Sequence, residues 1–193
     1  MSKPYFYKYQ NQDDIEQRIK HYNLKSIVKK TDDILDIGSA EGLFCINLAP
    51  YVKSVTGVDP ITIHNTKAKE IAKLKNISNC NFIQNDFVTF CEKTTQQFDL
   101  VTCFAVHSYI IGTHKRCHWE PEEMDMTTFE GFANYMIGLI KSGGLMMIEG
   151  HPTFDQDHQD WEPLMSILKP RLTIVDERMG RPNRNLILFR NEI

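Results

Sequence analysis

An α/β fold is what this chain of 193 residues predicts: a doubly wound, mostly parallel sheet of seven strands that closes with a C-terminal antiparallel strand. Three observations carry that prediction. Short apolar runs alternate with stretches of helical spacing along most of the chain. A glycine turn follows the first of those runs and opens a helix. The last two runs are joined by a turn with no helix between them. Strands separated by helix-sized patterns imply right-handed βαβ units, and so a parallel sheet covered on both faces.

Taken in order, an aromatic leader (Tyr5, Phe6, Tyr7, Tyr9) precedes a polar stretch over 13–22. There Ile15, Ile19 and Tyr22 recur at helical spacing and predict a leading helix. The apolar run 34–37 is the first strand, and a helix over 41–49 follows the turn. A second strand over 54–58 ends at Asp59, and a lysine-rich helix over 65–74 comes next. The third strand, 81–83, ends near Asp86; the fourth, 98–104, buries Leu100, Val101, Cys103 and Phe104. Past an irregular stretch from 107 to 125, a helix over 127–141 should stop at Ser142-Gly143-Gly144, where a glycine C-terminal cap ends it. The fifth strand is 145–148. The pair 172–175 and 186–189 is joined by a turn rich in arginine, so one of the two should run antiparallel.

Composition narrows the function classes. There are 22 Lys and Arg against 25 Asp and Glu, a formal charge of −3, so no whole-chain field steers a polyanion towards the protein. The N-terminus has no apolar signal region, and no apolar run approaches the roughly 20 residues that a membrane span requires. The five cysteines (Cys45, Cys80, Cys91, Cys103, Cys117) are odd in number and scattered, as in a reducing, cytoplasmic compartment.

The functional signal is concentrated in Asp36-Ile37-Gly38-Ser39-Ala40-Glu41-Gly42, between a strand and a helix. Gly38 has no side chain to keep a ligand away from the backbone. Acids then stand at three successive strand ends, Asp36, Asp59 and Asp86. Each alone is ordinary turn or cap chemistry. Together, in register with the glycine turn, they suit an ammonium, a ribose diol and an adenine amino group. A pyrophosphate cofactor such as NAD needs a G-x-G-x-x-G run, and Ser39, Ala40 and Glu41 break it.

The arrangement resembles the class I S-adenosylmethionine-dependent methyltransferases, whose fold is Rossmann-like, over about residues 34–190. Residues 34–42 look like that family's first motif, and Val55-Thr56-Gly57-Val58-Asp59 looks like its second. Asn85-Asp86-Phe87 looks like the third, and Ile140-Lys141-Ser142-Gly143-Gly144-Leu145 like its leucine-lysine-proline-glycine-glycine segment, with Ser142 where proline is usual. The resemblance implies S-adenosyl-L-methionine as cofactor, bound by Asp36, Gly38, Ser39, Ala40, Gly42, Asp59, Pro60, Asp86, Phe87 and Phe104. It also implies one domain over 1–193, with a helical lead-in over 1–30 and acceptor-side loops over 105–126 and 150–165.

Methyl transfer is a displacement, so the protein chiefly has to place the nucleophile in line, with a base where the acceptor is a hydroxyl. His107 after the fourth strand and His151 after the fifth are the candidate catalytic residues; His151 is the first choice. The residues after Phe104 lack the pattern of enzymes that methylate base amino groups, which argues against nucleic acid. His114, Cys117 and His118, and His151, Asp155, Asp157 and His158, lack paired C-x-x-C spacing, so no metal is assigned. Arg178, Arg181 and Arg184 around the last turn suit an anionic acceptor or simply solvate a hairpin. The expectation is O-methylation of a small molecule or glycan. RNA or protein methylation, or a cofactor-binding module without catalysis, are the alternatives.

Overall fold

A computed structural model describes residues 12–112, 127–150, 160–179 and 184–192. Seven strands are β1 (Asp33–Ile37), β2 (Ser54–Asp59), β3 (Cys80–Gln84), β4 (Phe98–Phe104), β5 (Ile140–Gly150), β6 (Thr173–Met179) and β7 (Asn185–Arg190). They form one sheet in the order β3-β2-β1-β4-β5-β7-β6. The first five strands pair in parallel, and β7 runs antiparallel to both β5 and β6. The expected mostly parallel sheet with an antiparallel C-terminal strand is therefore what the chain forms.

Among the described residues, eight α-helices connect or cover the strands: α1 (Gln12–His21), α2 (Leu24–Ile27), α3 (Leu43–Leu48), α4 (Thr62–Leu74), α5 (Phe87–Lys93), α6 (His107–Ile110), α7 (Phe129–Gly138) and α8 (Trp161–Leu168). Side chains alternate across the strands, which divides the core in two. Leu35, Ile37, Val101, Cys103, Met146 and Ile148 pack with α5, α7 and α8. Ile34, Val55, Leu100 and Met147 pack with α1, α2, α3 and α4. Asp36, Thr102 and Glu149 share the parity of Ile34, Leu100 and Met147, so they point towards α1 and α3. No helix among the described residues is long and apolar enough to cross a membrane. Cys45, Cys80, Cys91 and Cys103 are free thiols.

Two expectations are corrected. The helix predicted to reach the glycine pair ends at Gly138, and Ser142-Gly143-Gly144 lies inside β5. There four residues, 141–144, oppose the single Asp99, because Ile140 pairs with Phe98 and Leu145 with Leu100. Asn191 holds this bulge: it accepts from Gly143 N (2.7 Å), donates its own N–H to Gly144 O (2.9 Å), and donates from its amide side chain to Ile140 O (3.1 Å). Partners on β4 and the chain's end thus override the local cap signal. The second correction is α5 and α8, which were not anticipated; Trp161, Leu164, Met165 and Leu168 fall at helical spacing and are all buried.

Candidate functional site

The strand order reverses between β1 and β4, the position where open α/β sheets bind ligands beyond their carboxyl ends. Asp36 sits there, opposite Thr102 of β4. Its carboxylate accepts from Thr102 Oγ1 at 2.7 Å and from Cys45 Sγ at 3.5 Å. Burial penalises the charged form and pushes Asp36 up to about 6, against the opposing pull of Thr102, Cys45 and Arg18. Burial likewise pushes the Cys45 and Cys103 thiols up, so neither is a ready nucleophile.

Backbone strain collects around this point. Gly38 (φ 71°) and Ala40 (φ 46°) lie in the left-handed region after β1, and Ala105 (φ 62°) does so after β4. An alanine pays for that conformation, and such outliers gather at ligand sites. At Gly38 an added Cβ would come within 2.6 Å of Val106, so the missing side chain lets the β4 loop close against the glycine turn. That approach places His107, the next residue, beside the switch point.

The turn's amides are largely engaged. Gly38 N and Ser39 N donate to Val58 O (2.8 and 3.1 Å), Gly42 N to Ser39 O (2.9 Å), and Ala40 N to Asp59 Oδ2 (3.0 Å). A pyrophosphate therefore meets few free donors, which strengthens the case against a dinucleotide. Acceptors at the turn suit a cationic ligand such as the ammonium of a methionine moiety. The Ser39 hydroxyl is buried over Gly57, so any ligand contact there belongs to its backbone. Gly42 is packed under Phe82 and Ala68.

Asp59, 5% exposed, also accepts from Ile61 N (3.0 Å) and lies 3.1 Å from His64 Nδ1. A carboxylate has about four acceptor positions, so it holds the turn and keeps capacity for a hydroxyl. Pro60 follows it, partly exposed. Asp86 caps α5 by accepting from Thr89 N (2.8 Å) through Oδ1. Phe87 departs from the expectation in one respect: its side chain is in the core against Phe132 and Tyr135, so only its backbone can meet a ligand.

Phe104 ends β4 beneath α1. It packs tilted against Tyr22 and edge-on against Phe44, and the Arg18 guanidinium lies 5.3 Å from its ring centre. Arg18 continues to Glu149, fully buried on the neighbouring strand, at 3.5 Å. His107, 2% exposed, opens α6 and places Nε2 at 2.8 Å from Asp160 Oδ2. His151 lies outside the described residues, as do Arg181 and the candidate ligands His114, Cys117, His118, Asp155, Asp157 and His158. Arg178 pairs with Asp176 at 3.0 Å on an exposed strand. Arg18, Thr102, Glu149 and Asp160 were missed in the sequence. Only Asp160 carried a local signal, as an acid before a helical pattern.

Comparison with known proteins bears on the family and the fold. A family model described as a methyltransferase domain matches residues 28–176. The chain is similar to the N-methyltransferase NodS from Bradyrhizobium japonicum WM9, with 22% identity, TM-score 0.72, and 95% of this chain and 100% of that one covered. The same enzyme in complex with S-adenosyl-L-homocysteine gives 21% identity and TM-score 0.70, with 100% and 94% covered. An rRNA methylase from Streptococcus thermophilus gives 13% identity and TM-score 0.62, with 90% and 94% covered. No curated protein sequence matches the chain significantly.

Proposed function

The chain belongs to the class I S-adenosylmethionine-dependent methyltransferases, and from that premise we propose that it methylates an oxygen of a small molecule or glycan with His107 as general base. The observation that carries the reading is His107 itself. It is buried, it stands one residue from the valine packed on Gly38, and its Nδ1 has no hydrogen-bond partner among the described residues. A bare imidazole nitrogen enclosed beside the switch point is suited to take a proton.

Asp36 and the carbonyls of the 38–42 turn would hold the methionine end of the cofactor, Asp59 the ribose, and Asp86 with the Phe87 backbone the adenine. Bound there, the cofactor supplies an electrophilic methyl group carried on a sulfonium. His107 receives the acceptor's proton at Nδ1, and the enclosed site keeps bulk water from competing for the same position. Free cysteines fit a reducing, cytoplasmic setting.

Release of S-adenosylhomocysteine, measured against hydroxyl-bearing metabolites and oligosaccharides, tests the proposal. Turnover with such a compound, falling at least ~100-fold in His107→Gln while cofactor affinity holds, is expected. Turnover with amines, RNA or protein alone would replace the acceptor class. Full turnover in His107→Gln, with loss in His151→Ala, would move the base to His151.

A further inference from the structure

The structure assigns to Asp160 a role in positioning His107, so that the pair acts as one unit with the proton on Nε2 and the reactive lone pair on Nδ1. This rests on His107 being the base. Asp160 occupies the N-cap position of α8, where aspartate is among the preferred residues because its side chain usually accepts from the helix's first amides. Here it makes no capping hydrogen bond. The carboxylate instead turns towards His107, with both side chains only 2% exposed. The backbone at Asp160 is already helical (φ −95°, ψ −17°), which keeps its side chain from the helix's first amides.

The rest of the enclosure favours the same contact. The Trp161 ring packs edge-on to the His107 ring, with centroids 6.0 Å apart and planes at 62°. At Gly150, the last residue of β5, an added Cβ would approach His107 Cε1 at 2.6 Å and collide with the Trp161 ring. Glycine at that strand end, the indole, and α8 together leave the imidazole little room to rotate. Among the described residues, Asp160 is the charged group recorded against this ring. Nε2 and Oδ2 stand 2.8 Å apart without forming an aligned hydrogen bond, and such contacts commonly tighten when a catalytic site fills. A carboxylate facing Nε2 draws the imidazole proton to that nitrogen and offsets the imidazolium that forms when Nδ1 takes a second proton.

The test reads the imidazole directly and needs no acceptor. Long-range nitrogen–proton NMR of the full chain, saturated with S-adenosylhomocysteine, reports which His107 nitrogen carries the proton. The wild-type protein should show a single tautomer protonated on Nε2. Asp160→Asn keeps the shape but can donate to Nε2, so signal for the Nδ1-protonated tautomer should appear, the exchange by which an acid-to-amide change inactivates comparable pairs. A second variant, Asp160→Ser, carries a hydroxyl too short to reach the ring; it should keep the fold by circular dichroism and still lose the single tautomer. A wild-type His107 protonated on Nδ1, or a tautomer unchanged in both variants, would overturn the role. The base reading fails separately, through undiminished turnover in His107→Gln.

Discussion

The two sides of the switch point are held together differently. On the side proposed for the cofactor, Asp59 is gripped by Ala40 N, Ile61 N and His64, within 19 residues of it in the chain, and Asp86 by Thr89 three residues on. On the side proposed for the acceptor, Arg18 meets Glu149 and His107 meets Asp160 across much longer separations, each pair with at least one side chain almost wholly buried. A local turn can hold a buried carboxylate at small cost, because the backbone amides that satisfy it come with the turn. Burying charge between distant elements demands that both partners be present, because losing one leaves the other uncompensated.

The largest effect should come from breaking the distant pair. Arg18→Met keeps most of the apolar stem over Phe104 but removes the guanidinium facing the buried Glu149 carboxylate, and should lower unfolding free energy by about 3 kcal/mol. Adding Glu149→Gln should recover most of it, as chemical denaturation of the two variants would show. If Arg18→Met alone is neutral, the acceptor side is no more tightly coupled than the cofactor side.

Asp36 lies between the two and sharpens the contrast through pH. Its folded value of about 6 stands above the ordinary 3.8. Its contribution is therefore most favourable in acid, where the carboxyl is neutral, and is lost as pH rises through about 6. Relative to Asp36→Asn, the wild-type protein should lose on the order of 3 kcal/mol between pH 4 and pH 7. Parallel pH profiles for the two would remove the buried charge from the account.

On the cofactor side the changes should be smaller. Asp59→Asn should weaken S-adenosylhomocysteine binding by about 2 kcal/mol in calorimetry, since the ribose loses a charged acceptor. Unchanged affinity would leave Asp59 as a turn-holder alone. The Glu41–Lys67 pair, 2.8 Å long with both side chains a quarter to a third exposed, should contribute below about 1 kcal/mol by a double-mutant cycle.

The same division governed what could be read in advance. The glycine turn, the three strand-end acids and the closing antiparallel strand are short-range patterns, and they stand where the residues indicated. The predicted cap at Gly143-Gly144 failed because Asn191, nearly fifty residues away, pulls that segment into a strand bulge. Phe87 resembled a ligand contact by position, and the packing of α5 on α7 turned its ring into the core.

By itself, then, the sequence determined the seven strands along the chain and the acids Asp36, Asp59 and Asp86 at or near three strand ends, because hydrophobic period and turn chemistry act over a few residues. Tertiary structure alone decided that an arginine from α1 would reach Glu149 and that the acid before α8 would face His107 rather than cap its helix. Those contacts depend on where helices pack on a twisted sheet, and nothing in a local run of residues encodes that distance.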